Sequence, residues 1–330
     1  MHVTTSPLDL FLRTTFTLAT SSSDVRHNVL VRIDEGLGEA PVVPHYHETA
    51  QGVLDYIAQV APMLGDDPFQ LEDILARLPR AGASAAGYAA IDVALHDLVG
   101  KRLGVPLYKL FGLNPARAPE TSFTVAIDKP EVMAARARES GMPIIKIKLG
   151  TSDDVAIVRA IRHATSAHLR VDANAGWTRE QAAAIIPQLA EFDVEFVEQP
   201  LPREDVEGFH WLKPRVKVPI FADESAQTER DLAQLAGAID GVVVKLMKSG
   251  GLRGALRTMA VARALDMQIM LSCMVESSLG VTAAAHIAPL ADYADLDGPL
   301  LITNDPFVGL RYEGARMILP DGPGLGLLAK

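Results

Sequence analysis

Residues 144–149 read Ile-Ile-Lys-Ile-Lys-Leu, a short apolar run with lysines at every second position. Runs of this kind recur down the chain, separated by segments of helical periodicity, which is typical of βα units that build a parallel sheet. Eight such strands close naturally into a barrel, so the sequence predicts an α/β fold with a TIM-like barrel. The predicted strands are Ser122–Ile127, Ile144–Leu149, Leu169–Asn174, Val194–Glu198, Ile220–Asp223, Val242–Leu246, Ile269–Cys273 and Ala294–Asp297.

The first third of the chain has a different pattern, which predicts a separate α+β domain. Breaks at Pro106 and at Gly112-Leu-Asn-Pro115 mark its end. We therefore predict a first domain over 1–115, a barrel over 116–308 and a C-terminal segment over 309–330 that returns to the first domain. Within the first domain we expect strands over Leu10–Thr20 and Asn28–Asp34, a loop over Gly36–His47, and helices over Ala50–Met63, Phe69–Leu78 and Ala83–Leu103.

Composition limits the classes of function. The chain has 330 residues, 41 acidic against 31 basic side chains and a formal net charge of −10, which argues against nucleic acid or an anionic membrane as the partner. Trp177 and Trp211 are too isolated to form a stacking surface for nucleic acid. The single cysteine, Cys273, excludes an internal disulfide, and Asp9 and Arg13 interrupt the only N-terminal apolar stretch. We expect a cytoplasmic protein without a membrane span.

Polar residues end almost every predicted strand, at spacings of 24, 26, 25, 22, 28 and 24 residues. A step of one βα unit puts them at one height, the end of the barrel where active sites lie. Because alternate residues of a strand share a face, these side chains should point into the mouth of the barrel. The same alternation leaves Glu195 on the outward face. The residues are Lys148, Asp172, Glu198, Asp223, Lys245, Cys273 and Asp297.

The positions of these residues around the barrel suggest a reaction. Asp172, Glu198 and Asp223 lie on three neighbouring strands, and converging carboxylates are the ligands that Mg²⁺ prefers. Lys148 and Lys245 should face each other across the mouth, flanking a substrate whose carboxylate meets the metal and whose ammonium meets Asp295 and Asp297. One lysine can then remove a proton from the carbon between them while the other returns a proton to the opposite face, which is epimerisation by 1,1-proton transfer through an enediolate.

The same residues resemble the enolase superfamily, muconate-lactonising subgroup, along nearly the whole chain. The resemblance is carried by Lys146-Ile-Lys148, by the three carboxylates, by Lys245-Leu-Met-Lys248-Ser-Gly-Gly251 and by Ala90-Ile-Asp92-Val-Ala-Leu-His-Asp. It implies a modified (β/α)7β barrel under an α+β capping domain, with Mg²⁺ and a lysine base.

Asp295-Leu-Asp297 with Cys273-Met-Val-Glu276 is most similar to the dipeptide epimerases of that group. This implies inversion of the Cα of the C-terminal residue in an L,L-dipeptide, with Thr124, Lys146, Asp295 and Asp297 binding the substrate. Relatives that act on Ala-Glu use an arginine of the first-domain loop to bind the glutamate, and our alignment puts Thr17 there, with Arg13 and Arg26 offset. The preferred side chain therefore stays open. Members of the family commonly assemble, so a homo-oligomer is also open.

Two other functions remain as alternatives. One is a cycloisomerase or an o-succinylbenzoate synthase-like enzyme on the same scaffold, whose substrate has no ammonium for the aspartate pair. The other, more remote, is a non-catalytic member that binds metal or peptide. Asn174 and Glu224 either support the metal ligands or are structural, and His45 and His47 are read as a solvated capping loop near the entrance.

Overall fold

The computed structural model describes residues 1–18, 21–80 and 84–330. Its centre is a parallel sheet of eight strands in the order β11-β10-β9-β8-β7-β6-β5-β4. A bridge between Thr121 and Ala294, with Ser122 N donating to Ala294 O at 3.1 Å, joins the two edges and closes the barrel. The strands are β4 Phe123–Val125, β5 Ile144–Lys148, β6 His168–Asp172, β7 Val194–Glu198, β8 Ile220–Ala222, β9 Gly241–Lys245, β10 Gln268–Ser272 and β11 Tyr293–Asp295. The fold prediction is confirmed, with strand ends within two residues of those expected.

Helices pack around the outside of the barrel because their apolar residues recur on one face. α6, for example, buries Ile157, Val158 and Ile161 against the strands. Thr178 and Gln181 cap the start of α7 reciprocally. The helices are α5 Pro130–Ser140, α6 Asp154–Ala164, α7 Arg179–Leu189, α8 Val206–Leu212, α9 Leu232–Leu235, α10 Leu246–Ser249, α11 Gly251–Ala264, α12 Ser278–Ala285 and α13 Gly298–Leu301.

The first domain is an antiparallel sheet of three strands followed by helices. Its elements are β1 Val3–Thr17, β2 Ser22–Ile33, β3 Gly36–Ala40, α1 Ala50–Val60, α2 Leu71–Arg77, α3 Ala85–Leu103 and α4 Leu107–Leu110. The helices agree with the expected ones to within three residues, the largest difference being at the end of α1, where a separate 3₁₀ turn covers Ala61–Met63. The predicted ends at Thr20 and Ala83 lie outside the described residues. The loop expected over Gly36–His47 is wrong in its first part, where β3 pairs with β2.

The glycines that suggested a loop there serve close packing. A Cβ on Gly38 would lie 2.0 Å from Ala90 O, and one on Gly36 would lie 2.2 Å from Ala94 O. Strand β3 therefore approaches the backbone of α3 so closely that only glycine fits. Asp97 of α3 accepts hydrogen bonds from Leu37 N at 2.9 Å and from Leu325 N at 2.8 Å, which ties together β3, α3 and the C-terminal segment.

The β1–β2 hairpin covers the carboxyl end of the barrel. Leu8 and Leu10 are buried in one cluster with Val275 and Ile302 of the barrel. Asn28 Nδ2 donates to Val275 O at 3.1 Å. The mouth of the barrel is thereby roofed by the first domain.

The last residues form two small antiparallel pairs, β12 Phe307–Val308 with β15 Leu328–Ala329 and β13 Arg311–Glu313 with β14 Arg316–Ile318. Leu107 N donates to Gly324 O at 3.0 Å, and Gly324 N donates to Val105 O at 2.9 Å. Among the helices of the described segments, none combines the length and apolar character that a bilayer crossing requires.

Candidate active site

The predicted site residues lie at the strand ends, around one cavity of about 820 Å³ between the barrel and the β1–β2 hairpin. Asp172 and Glu198 lie just beneath its wall, fully buried, in contact with the lysines. The other seven line the cavity: Thr124, Lys146, Lys148, Asp223, Lys245, Asp295 and Asp297. The structure therefore brings together every residue that the strand-end pattern singled out for catalysis, metal or substrate.

Lys148 and Lys245 occupy opposite walls. They end β5 and β9, which are separated by three strands in either direction around the barrel. Each forms an ion pair with a carboxylate at the end of a neighbouring strand: Lys148 Nζ lies 2.6 Å from Asp172 Oδ2, and Lys245 Nζ lies 2.7 Å from Asp223 Oδ2. Burial lowers the pKa of Lys245, but Asp223, Glu198 and Glu224 together outweigh burial and hold that pKa above its usual range.

Lys146 also lines the cavity, but its ammonium is held among carboxylates of three other strands. Its Nζ lies 2.7 Å from Glu198 Oε2, 2.9 Å from Asp295 Oδ2 and 3.3 Å from Asp172 Oδ2. Burial opposes its charge, yet Asp295, Glu198 and Asp172 together raise its pKa well above the ordinary value. Three carboxylates hold this ammonium in place, and it compensates their charge.

Several buried carboxyl and amide oxygens on the arc from β6 to β8 have no hydrogen-bond donor among the described residues. They are Glu198 Oε1, Asn174 Oδ1 and Glu224 Oε2. Burial, followed by the charge of Asp172, raises the pKa of Glu198 well above normal, and burial with Asp223 raises that of Glu224 to about 7. Because buried acceptor oxygens normally have a partner, these oxygens are suited to bind a positively charged group.

These oxygen donors fit a hard divalent cation such as Mg²⁺. In the described parts of the chain, no three His, Cys, Asp or Glu side chains already stand in an arrangement that could hold a metal ion. Here Asp172 and Asp223 are turned toward Lys148 and Lys245. Asp172, Glu198 and Asp223 as metal ligands therefore remain a prediction.

The two aspartates of β11 have different surroundings. Asp295 accepts from Ser122 Oγ at 2.7 Å, Lys146 Nζ at 2.9 Å and Ser272 Oγ at 3.0 Å, so its charge is already compensated. Asp297 accepts only from Thr124 within the described residues, with Thr124 N at 2.6 Å from Oδ2. Burial and the neighbouring Asp295 raise the pKa of Asp297 to about 7. Asp297 is thus the member of the pair that lacks a counterion.

Two further residues belong to the site although sequence patterns did not assign them. Lys248, within α10, is buried and donates to Asp223 Oδ1, to Asp223 O at 2.7 Å and to Val243 O at 2.9 Å, so it fixes the Asp223 carboxylate. Its position three residues after Lys245 is the sequence feature that could have indicated this role. Tyr46, in the short helix Pro44–Tyr46 of the first domain, lines the cavity with a buried hydroxyl that has no hydrogen-bond partner in the described part of the chain. No regular spacing in the sequence relates Tyr46 to the residues at the strand ends.

A bulge in β7 explains why Glu195 departs from the simple alternation of inward and outward side chains. The pairing of β6 with β7 shifts between Leu169 and Val171, a bulge that gives β7 one extra residue. Glu195 Oε2 accepts from Arg170 Nε at 2.9 Å, and the Arg170 guanidinium lies over the Phe196 and Tyr293 rings. The residue predicted to face outward therefore serves an ion pair at the lower end of the barrel.

The remaining candidates have minor roles. His45 lines the cavity on an exposed turn, and His47 is exposed in a left-handed conformation that ends that turn. Cys273 also lines the cavity, but burial and the charge of Asp297 raise the pKa of its thiol, which disfavours a nucleophilic thiolate. Trp177 Nε1 donates to Asp154 at 2.7 Å in the core.

Comparison with known proteins gives the family. Residues 131–329 match the profile described as enolase C-terminal domain-like, and residues 3–112 match the mandelate racemase / muconate lactonizing enzyme N-terminal domain. The chain belongs to the enolase superfamily.

Several similar proteins of this family are epimerases. The L-Ala-D/L-Glu epimerase of Bacteroides thetaiotaomicron is 41% identical, with 99% of this chain and 88% of that protein covered. The substrate-liganded L-Ala-D/L-Glu epimerase of Bacillus subtilis superposes with a TM-score of 0.94 at 31% identity, covering 100% and 98% of the two chains. The dipeptide epimerase of Enterococcus faecalis, complexed with Mg and L-Leu-L-Tyr, gives 0.93 at 34% identity, covering 98% of each.

Proposed function

We propose that this chain is a Mg²⁺-dependent dipeptide epimerase that inverts the Cα of the C-terminal residue. The observation that carries the proposal is the placement of Lys148 and Lys245 on opposite walls of one cavity that also holds Asp297. Full-length similarity to the epimerases described above supports the same reaction.

The two lysines carry the proton chemistry. A neutral lysine on one wall removes the Cα proton, and the ammonium of the other lysine delivers a proton to the opposite face. The net proton count is unchanged, but the configuration inverts and the new Cα hydrogen comes from solvent whenever the donor has exchanged. A general base in such a position contributes roughly 10²- to 10⁴-fold.

Asp172, Glu198 and Asp223 would hold Mg²⁺, and the ion would supply positive charge to stabilise the negative charge that develops on the substrate carboxylate. Lys248 fixes Asp223 from behind, and Lys146 does the same for Glu198. These ammonium groups keep the carboxylates in place without taking part in proton transfer.

Asp297 orients the substrate at the other end. Its carboxylate has no cationic partner among the described residues, and a substrate ammonium is the group that fits it. This observation separates the proposal from a cycloisomerase or an o-succinylbenzoate synthase-like reaction, because those substrates have no ammonium to compensate a buried carboxylate.

A library of L,L-dipeptides, incubated with the enzyme and Mg²⁺ in deuterated water and read by mass spectrometry and chromatography, tests the proposal. We expect one deuterium per product molecule together with a new diastereomer. If no dipeptide exchanges, the proposal is wrong, and muconate-type and N-acylated acids become the next substrates. Its single cysteine also leads us to place the enzyme in the cytoplasm.

A further inference from the structure

Gln199 is a fully buried residue that lies between two of the predicted metal ligands. It directly follows Glu198 at the end of β7, and its main-chain N–H donates to Phe221 O of β8 at 2.8 Å. Its main-chain carbonyl accepts from Ala175 N, in the loop after β6, at 2.9 Å. The main chain of Gln199 thus joins the ends of the three strands that carry the predicted metal ligands.

The side-chain amide of Gln199 reaches into the loop after β8 and uses its full hydrogen-bonding capacity there. Its Oε1 accepts from Asp223 N at 2.9 Å and from Ser225 N at 3.2 Å. Its Nε2 donates to Ser225 Oγ and to Leu201 O, each at 2.8 Å. Because the set needs both an acceptor and two donors at one place, neither a carboxylate nor an apolar side chain of the same length can form it. The amide therefore fixes the main chain that carries Asp223.

The backbone of Gln199 has an unfavourable conformation. Its φ of +38° lies in the left-handed region, where a side chain with a Cβ is crowded against the main chain. Such conformations persist only where the surrounding structure determines them, and they cluster at functional sites. Here two main-chain and four side-chain hydrogen bonds to described residues determine it.

The role of Gln199 differs from that of the two lysines behind the metal ligands. Lys248 holds the carboxylate of Asp223, and Lys146 holds the carboxylate of Glu198. Within the described residues neither ammonium bonds to both ligands, whereas Gln199 is covalently joined to Glu198 and hydrogen-bonded to Asp223 N. The separation of these two ligands is therefore set by Gln199. That separation matters because Mg²⁺ demands short distances and a regular octahedron, whereas the larger Ca²⁺ accepts irregular sets of oxygen ligands.

We infer that Gln199 is a positioning residue that holds Glu198 and Asp223 at the separation that Mg²⁺ requires, and that it thereby determines selectivity for Mg²⁺ over Ca²⁺. This inference rests on the proposed function, because it takes the predicted ligands as the metal site. It deepens that function by naming the residue that shapes the site before the ion binds. Groups that orient metal ligands from behind contribute roughly 10- to 100-fold to metal affinity.

Calorimetric titration with magnesium chloride and with calcium chloride tests the inference on the wild type, Gln199→Met and Ile161→Ala. Methionine has nearly the length of glutamine but forms none of the four side-chain bonds. Ile161 is buried in α6 on the outside of the barrel and does not line the cavity, so its truncation lowers stability alone and is the matched control. Thermal unfolding without metal measures the stability lost by each variant.

We expect Gln199→Met to weaken Mg²⁺ binding by roughly 10- to 100-fold and Ca²⁺ binding by less than about threefold. Ile161→Ala should leave the affinity for both ions unchanged. If Gln199→Met does not fold, Ser225→Ala is a milder variant, because it removes only one partner of the amide. It should weaken Mg²⁺ binding about threefold, the effect of one hydrogen bond, and unchanged Mg²⁺ affinity in this variant would overturn the inference.

The outcomes also separate the inference from the proposed function. An unchanged Mg²⁺ affinity in Gln199→Met, or an equal loss of affinity for both ions, overturns the inference and leaves Gln199 with a purely structural role. A selective loss of Mg²⁺ affinity in a chain that epimerises no dipeptide supports the inference and overturns the proposed reaction alone. A wild type that binds no Mg²⁺ overturns the metal assignment and the inference with it.

Discussion

Replacing Asp297 by asparagine removes the charge that we assign to the substrate ammonium while keeping the size of the side chain. The asparagine carbonyl can still accept from Thr124 N, the 2.6 Å bond that positions Asp297. Its amide N–H₂ then faces the cavity, so an ammonium there loses its acceptor. The change therefore tests recognition of charge more than local folding.

The size of the effect follows from the site. A carboxylate and an ammonium about 3 Å apart attract by about 5 kcal/mol at an effective dielectric constant of 20. The loss on substitution is smaller than this attraction for two reasons. Asp295 stays nearby, and the pKa of Asp297, raised to about 7 by burial and Asp295, leaves Asp297 partly protonated before the substrate binds. A net loss of about 3 kcal/mol corresponds to roughly 100-fold in kcat/KM.

The assay compares an L,L-dipeptide with its propanoyl analogue, which has the same atoms except the ammonium. We expect the wild type to favour the dipeptide by about two orders of magnitude, and Asp297→Asn to treat the two substrates almost alike. Mg²⁺ binding measured by calorimetry should be unchanged, which controls for damage to the carboxylate arc. A ratio that moves less than threefold would refute ammonium binding by Asp297 and favour the one-base alternatives.

Three further predictions concern the roof, the core and acid stability. Tyr46→Phe removes a buried hydroxyl that has no hydrogen-bond partner among the described residues and that we expect to donate to the substrate. It should lower kcat/KM about tenfold, the effect of losing one hydrogen bond, without loss of thermal stability; unchanged kinetics contradict this. Gly38→Ala places a Cβ 2.0 Å from Ala90 O and should lower the free energy of unfolding by about 3 kcal/mol or prevent folding, as urea titration would measure; an unchanged midpoint contradicts the close packing. Burial lowers the pKa of His286 to about 4, so the stability its neutral form contributes is complete above its unfolded pKa of about 6.5 and is lost as pH falls toward 4. Unfolding in urea at pH 7 and pH 4.5 should show a smaller loss for His286→Asn than for the wild type, and equal losses would exclude this histidine.

The barrel and most of the site could be predicted because both follow from periods in the sequence. Lys148, Asp172, Glu198 and Asp223 each stand at the end of a strand, and the βα repeat places strand ends at one height. Local alternation then orients the side chains without knowledge of distant contacts.

What escaped prediction depends on contacts between distant segments. Strand β3 was hidden by glycines whose role is visible only beside α3. Glu195 was misplaced because one bulge reverses the alternation. Tyr46 and Arg26 reach the cavity from the first domain, and no spacing relates them to the barrel strands. That Lys146 compensates Asp295, leaving Asp297 for the substrate, could be found only from the distances.

The most direct test of the two-base account uses Lys148→Met and Lys245→Met with L,L- and L,D-dipeptides in deuterated water. Each variant should lose epimerisation by roughly 10²-fold or more, because one face of the substrate lacks its acid or base. Each should still exchange the Cα hydrogen of one diastereomer, Lys148→Met that of one configuration and Lys245→Met that of the other. This complementary pattern is the result the account predicts; a single-lysine variant that epimerises at the wild-type rate would contradict it.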